Sequence, residues 1–383
     1  MNDSGDTIGI HNSTHPAEWS KSTVSTLLRH PSCYIIDTDY LVERFWLVTV
    51  LGSTLSTISI VENIFLFAVF VSSRQHRNSC SLYLMLLALS DTFISGTYIL
   101  IMSVKVLYQF TESVYLKRMW VVYLVPMMTM SHITITTSSF LIVFATVERF
   151  CVTVSHHCVE FLQNNRKLIA FFAVVIGVFT KGTLLLEIVP VYDPDCADTL
   201  NEYHLEVTPL VIHNRHYKLW RFWFRNIVTI LFPFFTLMYL NARIVNELRK
   251  NVYLGTQSSS THNHANKAVS AKQRKARVRA ATRTMVLVVC TYLLANMLNV
   301  IITIWEHTDA TSLFTSFLDF YIISVDAVSL LTIFACASRL PIYASCQTLF
   351  RREMCNFAMQ IFTRKRPSES TALLDHNLNR MGS

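Results

Sequence analysis

Seven stretches of this chain are long, apolar and nearly free of charge, near 45–72, 79–108, 119–147, 167–190, 219–247, 284–305 and 314–344. A helix needs about 20 mainly apolar residues to cross a hydrocarbon layer about 30 Å thick, at 1.5 Å per residue. No water reaches the backbone there, so such stretches fold as helices that satisfy their own polar groups. The charge deficit points the same way: only 15% of the 383 residues are Asp, Glu, Lys or Arg, against about a quarter in a soluble chain. A two-domain soluble enzyme, a disordered scaffold and a disulfide-stapled secreted module are excluded. The expected fold is an all-α membrane protein, a seven-transmembrane helix bundle. An N-terminal segment would occupy 1–44, the bundle 45–344, an amphipathic cytoplasmic helix 345–363 and a disordered tail 364–383.

Orientation follows from charge in the short connections. From Arg243 to Arg283, around the fifth connection, ten basic residues face a single acid, Glu247. Arg74 and Arg77 lie in the first connection, and Arg351, Arg352, Arg364, Lys365 and Arg366 follow the last span. The fourth connection is acidic, with Asp193, Asp195, Asp198, Glu202 and Glu206. The N-terminus is therefore expected outside and the C-terminus in the cytoplasm. Two N-x-S/T sequons, at Asn2 and Asn12, fall where glycosylation needs them. Residues 1–44 are polar, so the first span is expected to act as signal anchor. Of the nine cysteines, only Cys33 and Cys196 fall on the extracellular, oxidising side. They form either a bridge tying the N-terminal segment to the second extracellular loop or two free thiols.

Within the spans stand residues with a recognisable order. Glu148-Arg149-Phe150 closes the third span, Asn63 lies in the first, and Leu87-Ala88-Leu89-Ser90-Asp91 in the second. Pro233 lies in the fifth and Tyr343 near the end of the seventh. This set resembles the landmarks of rhodopsin-like G-protein-coupled receptors over roughly 45–360. Pro126, Thr146-Val147-Glu148-Arg149-Phe150, Pro233-Phe234-Phe235, Asn296-Met297-Leu298-Asn299 and Ser338-Arg339-Leu340-Pro341-Ile342-Tyr343 are similar to invertebrate, including nematode, neuropeptide receptors of the FMRFamide type. Three departures stand out. Leu124 replaces the third-span cysteine, so Cys196 would look to Cys33. Ala295-Asn296-Met297-Leu298 replaces the sixth-span Cys-Trp-x-Pro switch, and Arg339 takes the place of the Asn in the seventh-span Asn-Pro-x-x-Tyr.

A charge inside a bilayer costs about 3 kcal/mol on insertion scales, so each needs a reason. The resemblance implies a sodium site built on Asp91, Ser138 and the seventh-span Asn. Arg339 in that last place suggests an Asp91–Arg339 ion pair standing in for the ion; the alternative is an Arg339 that snorkels to the headgroups. Glu148 and Arg149 are expected as a resting intrahelical pair, with Arg149 released, beside Phe150 and Tyr343, to meet a heterotrimeric G protein.

On the outer side, Ser131 stands where amine receptors carry an Asp, and the seventh span has no Lys for a retinal Schiff base. Glu187, Glu306 and Asp326, with Trp305, His132 and Arg225, are the candidate ligand contacts. Arg225 and His132 either bind ligand or pair with Glu187 or a backbone carbonyl. Carboxylates beside aromatic rings suit a cationic peptide, and the resemblance implies a C-terminally amidated one ending in Arg-Phe-amide. In the cytoplasm, Phe350, Met354, Phe357 and Ile361 mark an amphipathic surface helix, with Cys346 and Cys355 as candidate lipidation sites. Ser368, Ser370 and Thr371 offer phosphorylation sites for arrestin-like partners, and Leu373-Leu374 a sorting-adaptor signal. No cofactor, metal, catalytic residue or nucleic-acid partner is expected. The alternatives to a peptide receptor are a chemoreceptor for a small non-peptide ligand and a seven-span transporter lined by Asp91, Glu187 and Lys181.

Overall fold

The computed structural model describes residues 40–72, 81–154, 159–257, 265–309, 317–346 and 348–364. Cys33, the sequons at Asn2 and Asn12 and the tail from 365 onward lie outside the described residues. Among the described residues seven helices are long and apolar enough to cross a membrane. We label them α1 (Leu41–Ser72), α2 (Leu82–Phe110), α3 (Val114–Thr153), α4 (Arg166–Glu187), α5 (Ile227–Glu247), α6 (Thr282–Trp305) and α7 (Asp319–Cys346). An eighth helix, α8, runs Thr348–Arg364.

The spans pack as a ring in which α7 returns to α1, while α3 runs through the middle against α2, α4, α5 and α6. The core around α3 is made by Leu87, Phe140, Ile142, Ala173, Leu237 and Val289. Lipid tails are as apolar as leucine, so close packing rather than water exclusion joins such helices, and small residues permit it. The α3–α4 contact uses this device. Ala170, Ala173, Gly177 and Thr180 form the buried stripe of α4. A Cβ on Gly177 would sit 2.4 Å from Thr137 Oγ1 and 2.9 Å from the Ile133 carbonyl oxygen.

Several boundaries differ from the sequence reading. The third span was expected over 119–147, but α3 begins at Val114, because Lys117 and Arg118 find partners without leaving the helix. Lys117 donates to the Leu200 carbonyl, and Arg118 binds Glu202 and Asp198 at 2.7 Å each. The fourth span stops at Glu187, and residues 188–190, counted with it, begin a strand instead. Strands β1 (Ile188–Tyr192) and β2 (Tyr203–Val207) form an antiparallel hairpin in which Pro190 faces Leu205. The lysine and arginine contacts fasten the hairpin's loop to the start of α3.

Among the described residues three π-helical turns fall in the spans, two of them at Phe45–Leu51 and Ile99–Ser103. A π turn disturbs the regular i→i+4 ladder and leaves backbone groups in need of partners. The two turns lie side by side and supply them: the Val48 carbonyl accepts from Tyr98 Oη and from Ser103 Oγ at 3.2 Å each, and the Ser103 carbonyl accepts from Thr49 Oγ1. At the far end of α7, Tyr343 packs edge-on to Phe70 and Phe350, joining α7, α1 and α8. Phe350 and Met354 of α8 are buried in that cluster, and Phe357 meets Phe65.

Candidate functional site

At the hairpin end, α2 to α7 enclose a cavity of about 1140 Å³. Its floor is polar and tied across helices. Tyr292 of α6 donates to Ser139 of α3 at 3.1 Å, and Thr97 of α2 donates to Ser131 of α3 at 3.1 Å. Asn296 and Asn299 of α6, where an aromatic switch residue was missed in the sequence, face the same space. One wall is basic: Lys181 from the end of α4, and Arg215, Arg221 and Arg225 from the segment entering α5, all line it. His132 of α3 also lines the cavity, within Coulombic reach of Lys181 and Arg225.

Of the six expected ligand contacts, His132 and Arg225 line this cavity. Glu187 is fully buried behind the wall, and its Oε1 accepts from Arg225 Nη1 at 2.5 Å, Tyr217 at 2.8 Å and Thr183 at 2.9 Å. Its Oε2 lies 3.2 Å from Arg221 Nε without a directed hydrogen bond. Desolvation, with help from that carboxylate, holds the Tyr217 hydroxyl above its ordinary range, which keeps it a donor. Asp326 is equally committed: Arg44 Nε reaches its Oδ2 at 2.7 Å and Arg44 Nη2 its Oδ1 at 3.4 Å, both side chains buried. Glu187 and Asp326, expected as candidate partners for a ligand's arginine, thus each already hold one of the chain's own. Trp305 packs on Phe317 and Phe320 and does not line the cavity. Glu306 lies one residue past α6 in the same continuous helix, and its side chain is outside the described residues.

Beneath the cavity lies a second polar cluster. Arg339 Nη1 is 2.7 Å from Asp91 Oδ2, with both groups buried. The N–H does not point along that line, so two charges meet without a well-directed hydrogen bond. Cys336 Sγ donates to Asp91 Oδ1 at 3.4 Å. Asn63 Nδ2 bridges α1 to α7 through the Ser59 carbonyl at 2.9 Å and the Cys336 carbonyl at 3.2 Å. Ser138 is buried on α3. Arg339 thus points into the bundle rather than out to the headgroups.

At the opposite end, Glu148 does not pair with its neighbour Arg149. Its carboxylate takes a two-pronged contact from Arg166 at the start of α4, Nη2 to Oε1 at 2.5 Å and Nε to Oε2 at 3.0 Å. Arg149 and Phe150 are half-buried beside it. The intrahelical pair is corrected for a geometric reason: adjacent helical residues point away from each other, while α4 brings a guanidinium across to the carboxylate.

Cys196 is disulfide-bonded. The other described cysteines, Cys151, Cys290, Cys336, Cys346 and Cys355, carry no disulfide, so its partner lies outside the described residues, as Cys33 does. Cys346 is buried, which leaves an acyl chain no room there, whereas Cys355 is exposed on α8. Sequence reasoning missed Arg44 and Arg166 as partners and weighed Lys181 only as part of a transport path. A lone lysine in an apolar span was the signal for the last; the two arginines sit at span ends, where a charge draws no notice. Compared with models of known protein families the chain matches none, and no curated protein is similar enough in sequence to count as a relative.

Proposed function

We propose that this chain is a signalling receptor of the rhodopsin-like kind, placed in the plasma membrane with the hairpin end outside. It binds an extracellular ligand in the hairpin-end cavity and passes the event to a heterotrimeric G protein at the Glu148–Arg149 end. The carrying observation is the succession of three polar layers along the bundle: the cavity floor, tied between α2, α3 and α6, the Asp91–Arg339 cluster between α2 and α7, and the Glu148–Arg166 pair between α3 and α4. A ligand that moves α6 or α7 through Tyr292 or the floor asparagines shifts groups next to the middle layer. The middle layer in turn neighbours Tyr343 and the far helix ends.

A neuropeptide is the ligand class the landmarks support. An Arg-Phe-amide ending fits less well than the peptide class itself, because Glu187 and Asp326 already hold Arg225 and Arg44 and an incoming arginine would have to displace one of them. A transporter would need a path past the middle layer, where Asp91 is already held by Arg339, and Glu187, behind the cavity wall, is occupied as well. The test is G-protein activation in transfected cells, screened over peptides with amidated and free C-termini. At least one peptide should activate cells bearing the chain, and Arg149→Ala should abolish activation while leaving peptide binding. No response to any peptide, together with uptake of a solute, would overturn the reading.

A further inference from the structure

The basic wall of the cavity has more charge than the protein neutralises. Lys181, Arg215, Arg221 and Arg225 line it, and no Asp or Glu is among the lining residues. Behind the wall stands one carboxylate, Glu187, which serves both Arg225 and Arg221. Lys181 feels it only through space: among the described residues its ammonium makes no hydrogen bond or ion pair, although its side chain is largely buried. It lies within Coulombic reach of Arg225 and of His132. Three cations against one carboxylate leave two positive charges unbalanced, before Arg215 at the rim is counted. Burying an ion without its counter-ion is among the least favourable things a fold can do, and Arg225 adds a buried Nε with no hydrogen-bond partner.

We propose that the cavity is an acid-accepting site: its ligand presents a carboxylate, or a comparably charged phosphonate or sulfonate, to Lys181 and the Arg221–Arg225 pair. Such a group supplies the missing counter-charge through charge-assisted hydrogen bonds, and a guanidinium fork fits its oxygens. The polar floor of Asn296, Asn299 and Ser131 then orients the remainder. A cavity of this volume holds a small organic acid or the last residues of a peptide; a cationic side chain entering it would meet like charges. The proposal rests on the receptor reading only in treating the cavity as a ligand site.

The test uses the full chain purified in detergent and no G protein, so its outcome is separate from that of the signalling assay. Unfolding midpoints are measured with phenylpropionate, benzylphosphonate and naphthalenesulfonate, beside phenylpropionamide and phenylpropylamine. A second arm uses short peptides with free or amidated C-termini, which separates a peptide source of the acid from a small-molecule one. At least one acid should raise the midpoint with increasing dose, while amide and amine should not. Lys181→Met should remove the shift, Lys181→Arg should keep it, and Lys167→Met at the other end of α4 should leave it unchanged. Without probe, Lys181→Met should unfold at or above the wild-type temperature, because it relieves like-charge crowding. Acids that act no better than the amide, or an acid shift that survives in Lys181→Met, would overturn the proposal.

Discussion

Arg339 and Asp91 show what one residue can decide. Two opposite charges in apolar spans were legible in the sequence as partners, because each alone is so unfavourable in a bilayer. Their 2.7 Å approach makes the pair's removal and its breakage different experiments. Breaking a buried pair costs about 3–5 kcal/mol, whereas removing both members costs far less. Arg339→Ala is expected to lower the unfolding midpoint and surface expression sharply, and adding Asp91→Ala should restore part of the loss. Strictly additive losses in the double-mutant cycle would show that the two do not interact. Glu148 teaches the opposite lesson. Its sequence neighbour Arg149 drew attention, but the partner Arg166 comes from another helix and no local pattern announces it. Arg166→Ala should therefore destabilise the purified chain by about 3 kcal/mol, and Arg149→Ala should leave the midpoint nearly unchanged. Equal losses in the two variants would contradict the pairing.

At the scale of elements, the seven spans were readable because an apolar stretch that long has few other uses, while their ends were not. Lys117 and Arg118 look like loop residues until the hairpin supplies their acceptors. The hairpin itself hid because Pro190 and the Asp193-Pro194-Asp195 turn break the alternation that marks strands. The π turns left no trace either, since they depend on hydroxyls from a neighbouring helix. The small-residue stripe of α4 was not read from the sequence and emerges from the packing. Gly177→Ala should cost about 1–3 kcal/mol by overpacking, because the clash at Ile133 is with backbone that cannot swing aside. Gly96, in α2, is the control: a Cβ there meets nothing within 4 Å. Gly96→Ala should stabilise by about 0.5–1 kcal/mol through helix propensity. Both effects are read from unfolding midpoints in detergent, and a Gly177→Ala protein as stable as wild type would refute the tight α3–α4 contact.

Across the whole molecule, fixed charge is arranged in layers along the bundle axis: a basic cavity wall, a neutralised pair below it and a second neutralised pair at the far end. Among the described residues only the first layer is left with a surplus, and that is where we propose that a ligand enters. The middle layer has a consequence of its own. A free ion held at such a point exchanges with the medium, so its occupancy follows the ionic composition on either side of the membrane. Arg339 is tethered to the chain and cannot leave; its occupancy is one at every concentration. Replacing sodium with choline in the bathing solution should therefore leave ligand affinity and signalling threshold where they were, whereas an Arg339→Asn chain, if expressed, should become responsive to sodium. A wild-type threshold that moves with sodium would place an exchangeable ion elsewhere in the bundle. With Arg339 in place, the charge opposite Asp91 is the same whatever the electrolyte around the molecule.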